Sequence, residues 1–92
     1  FADGLATRRT YELTFQALLT GLSGFVTVSE DEIAQAIQHF VRATGSIAEG
    51  AGAAGLAGLI KLGPKLAGKR VGVVLCGSNI DPETLSWALS RS

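Results

Sequence analysis

Val71-Gly72-Val73-Val74-Leu75-Cys76-Gly77-Ser78-Asn79-Ile80-Asp81 is the stretch whose reading decides the fold. Its first half is a continuous apolar, mostly β-branched run. A strand with one wet face alternates polar and apolar residues; a run without alternation predicts a strand buried on both faces. The run stops at Cys76, and Gly77 and Asn79 supply the residues of a tight turn. In open α/β sheets ligands bind at the carboxyl ends of such strands. Cys76, Gly77, Ser78 and Asn79 are therefore the first candidate site residues.

Moving outward, Asp81-Pro82-Glu83 opens a helix, with Asp81 as N-cap, Pro82 in the first position and Glu83 in the first turn. Leu85, Trp87 and Leu89 are its expected inward face. Residues 65–70 form a polar approach to the strand, in which Lys69 and Arg70 are solvated, and Gly63-Pro64 is punctuation. Residues 51–62 are rich in Ala, Gly and Leu. They predict a helix whose small side chains let it pack closely against other backbone. Further back, Ser29-Glu30-Asp31-Glu32 is a capping box, with three acids at the positive end of the helix dipole. That helix carries Ile33, Ala36, Ile37, Phe40 and Val41 on one face and runs to about Thr44, where Gly45-Ser46 breaks it. Phe25-Val26-Thr27-Val28 is a short strand. Residues 10–22 have helical spacing, with Thr10 as cap and a stop at Gly21 to Gly24. The first nine residues read as a loop. The order is helix, strand, helix, helix, strand, helix, which is part of an α/β layer architecture with a mostly parallel sheet.

Composition bounds the rest. The chain has 92 residues and no net charge; hydrophobic residues make up 47% and charged residues 17%. No basic stripe exists to neutralise phosphates, which argues against nucleic acid as partner. No apolar run approaches the ~18 residues of a membrane span. One cysteine makes no internal disulfide and fits a reducing, cytoplasmic setting. Two strands are too few for a sheet of ordinary size. The chain also begins at Phe1, lacks methionine and is apolar for its length. The expectation is a piece of a larger protein, with apolar surface meant for neighbours.

Several motifs are weaker than they look. Gly50-Ala51-Gly52-Ala53-Ala54-Gly55 spells G-x-G-x-x-G, but a dinucleotide fingerprint follows a buried strand directly and has an acid at the end of the next one. Here neither holds, and close packing explains the glycines better. Glu49, just before them, either compensates the helix N-terminus or contacts a ligand. His39 is the only histidine and falls on the polar side of its helix. No acids or histidines recur at metal-ligand spacing. On its own, Cys76 reads as a small buried hydrophobe; it is a poor nucleophile candidate, since no histidine is placed to activate it.

Three segments together resemble the C-terminal part of the catalytic domain of threonine/serine dehydratases, pyridoxal-phosphate enzymes of the fold type II, tryptophan synthase β-like group. Ala2-Asp3-Gly4-Leu5-Ala6 is similar to A-D-G-(I/L)-A. Residues 25–33 are similar to the family's V-(S/T)-E-D-E-I run and lead to Ala48-Glu49-Gly50-Ala51-Gly52-Ala53, similar to A-E-(P/G)-(A/S)-G-A. Residues 69–81 are similar to G-K-x-V-x-(V/I)-(V/I/L)-(S/C)-G-G-N-(I/V)-D. Order and spacing agree over essentially the whole chain.

The resemblance implies a three-layer αβα fold with a mostly parallel sheet, of which residues 1–92 are one portion, the remainder of the domain lying upstream. It implies pyridoxal 5'-phosphate as cofactor and a small hydroxyamino acid as substrate. It implies elimination of water and release of ammonia, in a cytoplasmic enzyme that is a homo-oligomer when whole. Related activities are the dehydratases of hydroxyaspartate and hydroxyectoine pathways and serine racemase; the alternative from another class is a non-catalytic α/β module that binds a ligand. The residue at Cys76 is usually serine and hydrogen-bonds the cofactor's pyridine nitrogen, which a neutral side chain does not hold fully protonated. Gly77, Ser78 and Asn79 adjoin it, Glu49 lies near the ring, and Gly4 belongs to a backbone segment on the ring's face. Two departures stand out: cysteine for serine at 76 and Ser78 for glycine. The Schiff-base lysine of the family sits in S-(F/Y)-K-x-R, which Lys61, Lys65 and Lys69 do not match. It is expected upstream together with the racemase metal site, so that no catalytic residue lies in this segment and the segment alone is expected to be inactive.

Overall fold

The computed structural model describes residues 2, 16, 19–22 and 24–91. Three helices dominate: α1 (Glu30–Thr44), α2 (Gly50–Leu62), continued by the 3-10 turn Gly63–Leu66, and α3 (Pro82–Ser90). Each begins where the sequence signals it. Ser29 caps α1: its hydroxyl accepts from the Glu32 amide at 3.1 Å, and the Glu32 carboxylate accepts from the Ser29 amide at 2.7 Å. Gly45 ends α1 in the left-handed conformation, φ 69°, and its amide donates to the Val41 carbonyl. Asp81 caps α3 by accepting from the Thr84 amide at 2.7 Å, with Pro82 in the first turn.

The core sits where α1 meets the other two helices. Ile33, Ala36, Ile37 and Phe40 are buried as the periodicity requires, and Val41 is half-buried. Ala53 and Ala57 from α2, Ala48 before it and Ala88 from α3 complete the cluster. With so many alanines, the few large side chains carry the apolar burial. Ile37 has no exposed surface, and burying such a side chain contributes about 1.5–3 kcal/mol.

Two features differ from expectation. On α3, Leu85 and Trp87 do pack on the core, but Leu89 is 45% exposed and Ala88 is buried in its place. At about 3.6 residues per turn Ala88 falls between Trp87 and Leu85 around the helix, and Leu89 falls past Leu85, at the edge of that face. Gln38 is buried too, although a glutamine normally stays in water. Its side-chain amide donates to the Ala88 carbonyl at 2.7 Å and to the Arg91 carbonyl. Arg91 then pairs with Asp31 at 2.8 Å and lies 5.1 Å over the Trp87 ring. The end of α3 is thus tied to α1 at two points.

No strand forms among the described residues. Residues 25–28 and 71–75 lie beside α2, but a strand exists by its ladder, and here neither segment has a neighbour to complete one. Instead of burial on both faces, residues 71–75 are exposed except for half-buried Val73. Within the predicted helix 10–22, residue 16 and residues 19–21 are helical; the rest of that prediction lies outside the described residues. Among the described residues, no helix is long and apolar enough to cross a membrane.

Candidate functional site

The turn at residues 76–79 is held between two helix N-termini. On one side, Glu49 is the N-cap residue of α2 in extended conformation, and its amide donates to the Gly77 carbonyl at 2.7 Å. On the other side, the Ile80 amide donates to the Ser78 carbonyl at 2.9 Å, Ile80 packs on the core, and Asp81 starts α3. The amide of Thr84, hydrogen-bonded to Asp81, holds that carboxyl below its ordinary range.

Gly77 takes a positive φ of 74°, which a residue with a side chain rarely adopts. The space beside it is also closed: a Cβ there would stand 2.2 Å from Oε1 of Glu49. The Glu49 carboxylate makes no capping bond to its own helix; it lies against the turn instead. Both readings of Glu49 thereby meet at one place, an acid at the positive end of α2 and an acid beside the candidate site. The Cys76 thiol is free and exposed, and Ser78 and Asn79 are exposed as well.

Of the site residues expected from sequence, Cys76, Gly77, Ser78, Asn79 and Glu49 are therefore brought together. Gly4 lies outside the described residues; Ala2, in the same motif, packs on the core. The G-x-G-x-x-G glycines belong to α2 and serve close approach. Cβ atoms at Gly52, Gly55 and Gly58 would meet the Cys76 carbonyl, Val73 and Val26 in turn. Gly52 is the residue whose bearing on the site the sequence did not reveal. The motif marked it as a packing glycine without saying that Cys76 is what it packs on.

Other candidates are elsewhere. Lys61 donates to the Thr27 carbonyl at 2.7 Å and pairs with Glu32 at 3.4 Å; Lys65, Lys69 and His39 are exposed. Among the described residues, no group of three or more His, Cys, Asp and Glu could hold a metal ion. A concavity of about 740 Å³ is an apolar groove along α2 lined by residues such as Phe25, Val26, Leu59, Leu62, Val71 and Val73. None of the five site residues borders it.

Curated proteins similar to this chain share a theme. An L-threonine ammonia-lyase of Thermotoga maritima is 42% identical over 91 residues, 98% of this chain and 22% of its own. A biosynthetic L-threonine dehydratase of Haemophilus influenzae is 34% identical over 93 residues, 99% of this chain and 18% of its own. An L-threo-3-hydroxyaspartate ammonia-lyase of a Pseudomonas species is 32% identical over 82 residues, 89% of this chain and 26% of its own. The chain thus spans about a quarter or less of the length of these relatives. No solved structure matches it. A family model matches residues 1–77, and by that match the chain belongs to the family of pyridoxal-phosphate dependent enzymes.

Proposed function

We propose that this chain is one portion of a catalytic domain that eliminates water from threonine or serine and releases ammonia and a 2-oxo acid. The observation that carries the reading is the turn at residues 76–79. It presents a free thiol at the end of an apolar segment and is seated on the N-terminus of α2. Two relatives named for threonine, one an ammonia-lyase and one a dehydratase, align over nearly the whole chain and supply the reaction class. A second reading, threo-3-hydroxyaspartate as substrate, is favoured by the Pseudomonas relative.

The residues present fit the cofactor. A ring nitrogen needs a small hydrogen-bonding side chain and a backbone that approaches without bulk. Cys76 supplies the first and Gly77 the second. When bound, pyridoxal phosphate supplies the sink for the electron pair left as the substrate loses its α-proton. Cys76 would offer the ring nitrogen one weak hydrogen bond at Sγ. Gly77, Ser78 and Asn79 would form the wall beside it, with Glu49 against Gly77. None of Lys61, Lys65 and Lys69 stands in an S-(F/Y)-K-x-R context, and the lysine that carries the cofactor is assigned to the remainder of the domain.

That remainder also completes the sheet in this proposal. Residues 25–28 and 71–75 become strands when partners cover them. The support is their exposure: Phe25 is 88% and Val74 76% exposed, a pattern that suits a half-assembled layer rather than a free surface.

The test is direct. The whole enzyme is loaded with pyridoxal phosphate and offered threonine, serine and threo-3-hydroxyaspartate in turn. Release of 2-oxo acid and ammonia from threonine or serine is expected. Faster turnover of threo-3-hydroxyaspartate selects the second reading, and no 2-oxo acid from any of the three refutes both.

A further inference from the structure

The contact between α2 and Cys76 is tighter than helix packing alone requires. A Cβ built at Gly52 would lie 1.5 Å from the Cys76 carbonyl oxygen and 2.7 Å from its carbonyl carbon. Three residues earlier, the Glu49 amide holds the Gly77 carbonyl at 2.7 Å while its carboxylate covers the place where a Gly77 Cβ would be. The two peptide planes that follow Cys76 and Gly77 are thus seated on two residues of one helix terminus. One turn on, at Gly55, the fit is looser: a Cβ there would stand 3.5 Å from Val73 Cγ1, an ordinary contact.

We infer that Gly52 and Glu49 are positioning residues that set where the Cys76 sulfur stands relative to the cofactor ring, and that Glu49 acts through Gly77. The inference rests on the assignment of Cys76 to the ring nitrogen. Its physical basis is the shortness of the side chain. Sγ is one bond beyond Cβ and has only three staggered positions. A displacement of the Cys76 carbonyl carbon carries the bonded Cα, Cβ and Sγ with it, and only the coarse steps of χ1 are left to compensate. Substitution at Gly52 forces such a movement, since the carbonyl must retreat to ordinary contact distance.

The experiment compares Gly52→Ala with Gly55→Ala in the whole enzyme, the same substitution one turn apart. Two quantities are read: the absorbance maximum of bound pyridoxal phosphate, and, without cofactor, the rate of iodoacetamide alkylation of Cys76 followed by peptide mass spectrometry. Gly52→Ala is expected to shift the maximum and to change the alkylation rate several-fold, while Gly55→Ala leaves both at wild-type values. A folded Gly52→Ala enzyme with wild-type spectrum and alkylation overturns the inference. Should Gly52→Ala fail to fold, Glu49→Ala and Glu49→Gln decide. A shift in both readouts with Ala, restored by the isosteric Gln, supports positioning. Wild-type values with Ala overturn it. Equal impairment by both overturns the indirect role of Glu49, because the charge itself is then required. The cofactor assignment fails separately: if the wild-type enzyme takes up no pyridoxal phosphate while alkylation still follows Gly52, the cofactor reading is refuted and the seating of Cys76 stands.

Discussion

Replacing Gln38 with leucine tests how α3 is held. The substitution keeps a side chain of similar volume and removes the side-chain amide that donates from α1 to the Ala88 and Arg91 carbonyls. Arg91 is exposed, so its carbonyl finds water. Ala88 is fully buried, and its carbonyl keeps only the longer 3.4 Å bond from the Arg91 amide. A lost hydrogen bond costs about 1 kcal/mol net, and a buried acceptor left short of a partner adds a similar amount, so the loss is about 2 kcal/mol. At about 1.4 kcal/mol per tenfold, the opening of α3 becomes roughly 30-fold more frequent. Native-state hydrogen exchange reads this directly, because amides that open locally exchange in proportion to that population. The α3 amides should speed up by that factor while those in the middle of α1 change little. Gln38→Glu should be worse than Gln38→Leu, since it turns acceptor oxygens toward two carbonyls. If α3 exchange in a folded Gln38→Leu protein stays within about twofold of wild type, the Gln38 bonds do not hold the helix and the reasoning fails.

Three further outcomes follow from the same structure. Ser29→Ala removes one half of the capping box and should cost about 1 kcal/mol, visible as faster exchange in the first turn of α1; no change would mean that the Glu32 bond to the Ser29 amide suffices. The Glu32 carboxyl is held below the ordinary carboxylate range, chiefly by the Ser29 amide and further by Lys61. Its contribution is therefore present above that ordinary range and is lost as pH falls through the lower folded value. Circular dichroism across this range should show a shallower acid loss of helix in Glu32→Gln, and an unchanged acid limb would refute the linkage. Ile37→Ala empties the most enclosed site of the core and should cost about 2–5 kcal/mol, measured as a lowered midpoint of thermal unfolding; a loss well under that range would show that the surrounding alanines collapse to fill the space.

What the sequence disclosed was local. Ser29 with Glu32, and Asp81 with Pro82, are signals whose partners lie within a turn, so the starts of α1 and α3 were legible. The small residues of 51–62 correctly announced close backbone contact, because a missing Cβ is itself a statement about space. Which backbone they meet was not legible: Gly52 and Cys76 are far apart in sequence, and only the fold sets one upon the other. Gln38 was missed for the same reason, its acceptors being some fifty residues away. Leu89 was placed inward because hydrophobicity was read without the neighbour that fixes the helix's rotation. The run 71–75 advertises burial that this chain does not itself provide, since a strand's partners are other strands. The candidate site was assembled from motifs in register. Geometry added two relations the motifs lacked: Glu49 touches Gly77, and Gly52 packs on Cys76.

The glycine face of α2 has a thermodynamic consequence. Gly52, Gly55 and Gly58 in the interior of a 13-residue helix together lower its intrinsic stability by roughly 3 kcal/mol relative to alanine. So short a helix, weakened to that extent, does not persist unaided in water. It forms because α1 packs on one side of it and the segment bearing Cys76 lies along another, and that segment is in turn shaped by the helix. Ordering of α2 and construction of the thiol-bearing turn are therefore a single cooperative event. A condition that frays the first turn of α2 dismantles the turn at the same stroke, and a ligand that grips the turn winds the helix.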